Sequence, residues 1–118
     1  ASYFTNRDLS GAPAIVRNET DINFNWGYGS PAPGIPVDNF SARFERTVFF
    51  QAGTYNITAS PDDGVRVWIN DELVIDDWRE SSVRTLSTSR FLSGNANVRI
   101  EFFEAWNLAS LTFGYPLI

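Results

Sequence analysis

Apolar residues alternate with polar ones along much of this sequence, and nowhere do they keep helical spacing over three turns beside helix-favouring polar residues. A period of two sends every second side chain to the same face, so each strand must bury one face against another layer. In "FSARFERTVFF" that face carries Phe40, Ala42 and Phe44. "QAGTYNITAS" reads as a turn and then a strand, with Tyr55, Ile57 and Ala59 together. "VRVWI" sets Val65, Val67 and Ile69 against Arg66 and Trp68. "VRIEFFEAW" groups Val98, Ile100 and Phe102. "INFNWGYG", the Thr- and Val-rich "VRTLSTSRFL" and "SLTFGYPLI" read as further strands, the last ended by Pro116. Asn70-Asp71 predicts a hairpin turn, because both residue types tolerate left-handed backbone. "SGNAN" predicts another turn. "GSPAPGIPVDN", with Pro31, Pro33 and Pro36, suits neither a helix nor a central strand and predicts an ordered loop across an edge or end of the fold. Short strands with frequent turn signals predict an all-β, antiparallel β-sandwich or barrel. The 118 residues fit one domain, residues 1–118, and 43% apolar content fills one core.

What is missing narrows the chemistry. With no Cys there is no disulfide framework or thiolate metal site, and with no His there is no Ser-His-Asp or Cys-His catalysis. A metal would be held by oxygen, which favours Ca²⁺ or Mg²⁺. The net charge of −5 argues against a nucleic-acid partner, since a phosphate backbone would be repelled. No apolar run is long enough to span a bilayer as a helix, so membrane insertion is not expected.

"SPDDGVRVWINDELVIDDW" holds two Asp-Asp pairs, Asp62-Asp63 and Asp76-Asp77. Two carboxylates at a loop tip can trap a hard cation. Equally, "SPDDG" can be turn chemistry, with Asp accepting local backbone N–H bonds. A hairpin at Asn70-Asp71 brings the second pair beside the first. A two-residue loop sets Val65 opposite Asp76, and a three-residue loop sets Val65 opposite Asp77. Asp76-Asp77 could then orient backbone near the first pair, cap the turn before "WRESS", or pair with Arg79. Catalysis by paired carboxylates needs a cleft that a small sandwich hardly offers, so an enzyme is not expected.

Beyond these physical readings, "FNWGYGSPAPGIPVDNFSARF", "AGTY", "DDGVRVWIND", "LVIDDW" and "IEFFE", in this order and spacing, resemble the PA-fourteen domain family. This β-sandwich module is shared by anthrax protective antigen, yeast flocculins and adhesins, and many glycosidases. The chain looks closer to its compact bacterial form. The resemblance implies a calcium-dependent carbohydrate-binding module within a larger multidomain protein that is secreted or displayed at the cell surface. It implies that Asp62 and Asp63, joined by a cis peptide bond, ligate Ca²⁺, which in turn takes sugar hydroxyls. A late loop, residues 105–110, would supply Asn107 and backbone carbonyls to the ion. Trp106, next to Asn107 in sequence, either stacks on a pyranose face or is a core Trp at a strand end. The competing reading is a structural spacer or protein-interaction domain that binds neither sugar nor metal. Trp68 is expected to cover a second layer or offer a stacking surface. Trp26 and Trp78 are expected as anchors, and Arg7 as a loop tie through a carboxylate.

Overall fold

A computed structural model of the protein describes residues 1–18, 23–27, 29–31, 33–81, 83–105 and 109–116. Eight strands run in chain order as β1 (Ser2–Phe4), β2 (Ile15–Val16), β3 (Asn23–Gly27), β4 (Phe40–Asp62), β5 (Gly64–Ile69), β6 (Glu72–Asp77), β7 (Leu86–Glu104) and β8 (Ala109–Gly114). Every pairing among them is antiparallel, and the described residues include no helix.

The architecture rests on two long strands. The first half of β4 pairs with β1 and with the second half of β7. Past a register shift between Phe50 and Gly53, the second half of β4 pairs with the first half of β7 and with β8. One layer is therefore β2-β1-β4-β7-β5-β6, and the other is β3-β8-β4-β7, with β4 and β7 common to both. The expected turns at "QAG" and "SGNAN" are corrected here. Gln51 and Ala52 lie opposite the single residue Ser93, which makes a β-bulge, and Gly94 takes φ 85° beside it. A bulge bends and twists a strand pair without ending it, so both strands pass from layer to layer through these residues. The strand expected over residues 83–92 begins at Leu86.

The alternation read from the sequence sets the core. Phe40, Ala42, Phe44, Tyr55, Ile57, Ala59, Val65, Val67, Ile69, Val98, Ile100 and Phe102 are all buried together. Rings from β3 close the gap between layers: Phe24 stacks on Phe44 at 5.8 Å, and Trp26 meets Phe40 at 5.7 Å and Phe102 at 5.8 Å. Each such apolar side chain stabilises by about 1.5–3 kcal/mol when fully buried. On the outer face of the larger layer, Trp68 lies between Arg66 (5.7 Å) and Arg99 (4.3 Å), while Arg66 also covers Trp78 at 3.9 Å. Trp68 thus forms part of a stacked arginine–aromatic surface.

The β5–β6 hairpin turns on Asn70 and Asp71, both at positive φ (49° and 67°). Positive φ at both central residues is the signature of a type I′ turn. A bulge between Val67 and Trp68 on one side and Ile75 and Leu73 on the other then shifts the ladder by one residue. As a result a two-residue turn produces the pairing Val65 opposite Asp77. The Pro-rich segment holds no strand among its described residues; Ile35 anchors it in the core, and Asn39 N–H donates to Ala105 O at 3.0 Å.

Truncating Phe102 to Ala should cost about 3–5 kcal/mol, because a central buried ring leaves a cavity. Phe49, 72% exposed on the outer side of β4, should change stability by less than about 0.5 kcal/mol as Ala. Urea denaturation of the two variants checks the contrast.

Candidate functional site

Asp62 closes β4 opposite Ser110 of β8, and Gly64 opens β5 opposite Phe103 of β7. The Asp62–Asp63 tip therefore carries the chain from one layer to the other, and the peptide bond between the two aspartates is cis. Gly64 is needed there: a Cβ would stand 2.2 Å from the Phe103 ring and 3.0 Å from the Arg79 backbone nitrogen.

The two carboxylates do different work. Asp63 is almost fully buried, at 6% exposure. Its Oδ1 accepts from the Ser81 N–H at 3.2 Å, and its Oδ2 from the Ala105 N–H at 2.8 Å. Its own N–H donates to Phe103 O at 3.1 Å. Asp63 thus ties the 81 segment and the exit of β7 to the tip. Bonds from backbone N–H to a carboxylate are charge-assisted and strong. Asp62 is half-buried and, among the described residues, its carboxyl meets that of its neighbour Asp63. Burial first, then the hydrogen bond and negative charge of Asp63, push Asp62 up to about 6, while Arg84 pulls it down. A proton or a cation between the pair relieves the same repulsion.

A third carboxyl lies under the tip. Glu104 follows Val98, Ile100 and Phe102 on the core-facing side of β7 and is fully buried. Neither of its oxygens has a hydrogen-bond partner among the described residues. Burial, with the charges of Asp38, Asp63 and Asp62, pushes it up to about 8, against the pull of Arg7. Arg7 itself meets Glu80 through a single nitrogen at 3.5 Å and lies over Phe103 at 4.9 Å, a looser contact than the bidentate carboxylate tie expected of it.

Asp77 is held by two arginines. Arg79 Nε donates to its Oδ1 at 2.6 Å, and Arg84 donates to its Oδ2 from Nε at 2.9 Å and Nη2 at 2.8 Å. Arg79 above all, with Arg84, holds the Asp77 carboxyl below its ordinary value. The sequence had named Arg79 and not Arg84. Nothing in "VRTLSTSRFL" marks Arg84 out. The sequence reading passes over Glu104, although the alternation that groups Val98, Ile100 and Phe102 puts an acid on the core face at its next step.

A hard cation suits the oxygen donors of Asp62 and Asp63, while Glu104 below them, pushed up to about 8, keeps its proton at neutral pH. Among the described residues no three acidic side chains converge as one metal cluster, so further oxygens must come from elsewhere. Trp106 and Asn107, the other expected site residues, lie outside the described residues. Ala105, just before them, is fastened to Asp63.

A two-layer antiparallel sandwich with a carboxylate tip joining its layers defines the class of this domain. The chain belongs to the PA14 domain family, whose profile matches residues 1–115. Over 111 residues it is 32% identical to "Anti-sigma-I factor RsgI3" of Acetivibrio thermocellus, covering 92% of this chain and 17% of that protein. A solved "anti-sigma factor domain-containing protein" superposes with a TM-score of 0.93 at 30% identity, covering 98% of this chain and 41% of that one. A structure described as "PA14 sugar-binding domain from RTX adhesin" superposes at 0.68 with 18% identity, covering 99% of this chain and 92% of that one. This last likeness is one of fold. The chain spans less than half the length of the two anti-sigma relatives.

Both Asp62 and Glu104 hold a proton more tightly folded than unfolded, so each stabilises the fold at low pH and loses that contribution as pH rises through its folded value. Without divalent cations, stability should fall between about pH 4 and 6 as Asp62 ionises and further towards pH 8 as Glu104 does. Urea midpoints measured in chelator from pH 4 to 8.5 check this. Asp62→Asn should flatten the first decline and Glu104→Gln the second.

Proposed function

We propose that the domain is a calcium-dependent carbohydrate-binding module of a larger extracellular or cell-surface protein. The observation that carries this reading is the pair of adjacent carboxylates at the layer crossing, where backbone donors fix Asp63 and, among the described residues, Asp62 accepts from no backbone N–H. Asp62 and Asp63 would hold the ion, with Asn107 as the third named ligand. When bound, Ca²⁺ would offer open coordination positions to neighbouring sugar hydroxyls. Trp106, beside Asn107 in sequence, would supply an apolar face for the sugar ring. The fold likeness to the sugar-binding domain of an RTX adhesin supports this, as does the family. We read the domain as a binder and not an enzyme.

The likeness to anti-sigma factors supports a setting for it. In that setting the sandwich would be the sugar-sensing part of a regulatory chain. A second reading, a spacer or protein-docking domain without sugar or metal, draws on the same relatives and on the arginine–aromatic outer face.

Calcium should raise the melting temperature, with about 2.7 kcal/mol of stabilisation when free calcium is a hundredfold above Kd. Asp62→Asn should abolish the rise while leaving the chelator-treated protein folded, since among the described residues Asp62 ties down no backbone through its carboxylate. Glycan-array binding should appear with calcium and vanish with chelator. A melting curve indifferent to calcium together with a silent array would leave the spacer reading standing.

A further inference from the structure

Arg84 reaches two structures that the chain keeps apart. Its Nε and Nη2 grip the Asp77 carboxylate at 2.9 and 2.8 Å, and Nη2 also reaches the Asp77 carbonyl at 3.3 Å. From the same guanidinium, Nη1 donates to the Asp63 carbonyl and reaches the Pro61 carbonyl at 3.5 Å. The two carbonyl contacts flank the cis peptide on both sides. Arg79 occupies the other oxygen of Asp77, so that carboxylate is gripped on both of its oxygens. The arginine side chain is mostly covered, at 17% exposure, and so is Asp77, at 18%. A planar fork with five donors suits a bridge between a carboxylate and two carbonyls; an ammonium has no such fixed geometry.

We propose that Arg84 is a positioning residue for the cation site, acting through the Asp62–Asp63 backbone and itself oriented by Asp77. This rests on the calcium-binding reading of that tip. It gives the second Asp pair a role in the first: Asp77 aims the guanidinium, and the guanidinium holds the carbonyls on either side of the two ligands. Residues that orient ligands from behind act on affinity although they never touch the ion.

Charge and position predict opposite signs here. The positive charge of Arg84 reaches Asp62 and opposes a cation beside it. If the arginine acted by charge alone, Arg84→Gln would tighten calcium binding, and Arg84→Lys would leave it unchanged. As a positioning residue, its replacement by Gln should weaken calcium binding by about ten- to a hundredfold, with Lys restoring only part of the loss. Calcium titration calorimetry on the wild type and both variants reads this. Amide NMR in chelator reads the metal-free site, where the Ser81 and Ala105 N–H signals, both bonded to Asp63, should shift in each variant. Melting in chelator gives the purely structural share. Should Arg84→Gln not fold, Arg84→Lys carries the test alone, since it keeps the charge. Variants that bind calcium as tightly as the wild type, or more tightly, overturn the proposal and leave the calcium reading intact. A wild type that binds no calcium removes the calcium reading and the proposal with it.

Discussion

The β4–β7 ladder is the constraint on which the rest of this domain depends. Its pairings run from Phe40 opposite Glu104 at one end to Ala59 opposite Leu86 at the other, and it turns from one layer to the next through a bulge. Because both layers contain these two strands, the layers cannot slide or separate without breaking the longest ladder of backbone hydrogen bonds among the described residues. β1, β5 and β8 then dock on edges that the ladder leaves, and β3 reaches across through Phe24 and Trp26. A slip of β4 by one residue against β7 would turn Phe40, Phe44 and Ile57 outwards while Ile100 and Phe102 stayed inside, so core burial fixes the register.

The candidate site follows from where the ladder ends. β4 finishes in the smaller layer at Asp62, β5 begins in the larger layer at Gly64, and Asp63 spans the step. At that step the backbone cannot continue either ladder, and the Asp63 carboxylate collects two of the N–H groups that would otherwise lack partners. Asp62 is thereby kept beside a carboxylate that is already committed and above a buried Glu104. Two carboxyl groups thus meet in a partly dry corner, with Arg84 the opposing charge on Asp62, and a proton or a cation between them relieves their repulsion.

Much of the fold was legible because burial obeys the period of two. Phe40, Tyr55, Val65 and Val98 all face inwards as their alternation requires. Asn70-Asp71 is a turn because both residues accept positive φ. "QAG" and "SGNAN" misled for a physical reason: Gly and Asn serve bulges as readily as turns, and only the partner strand decides which. The hairpin register was open for a related reason, since a bulge after the turn shifts the pairing without lengthening the loop. In the site, the Asp62–Asp63 pair stood out locally. Its dependence on Ser81, Arg84 and Ala105 did not, because those contacts join segments 18 to 42 residues away.

Under the proposed function, the two adjacent aspartates at the layer crossing would hold a calcium ion. Crystals grown with calcium, measured for anomalous scattering, test it most directly. One strong peak is expected about 2.3–2.6 Å from carboxylate oxygens of both Asp62 and Asp63. A map with no peak at that tip, or with calcium bound only elsewhere, would contradict it.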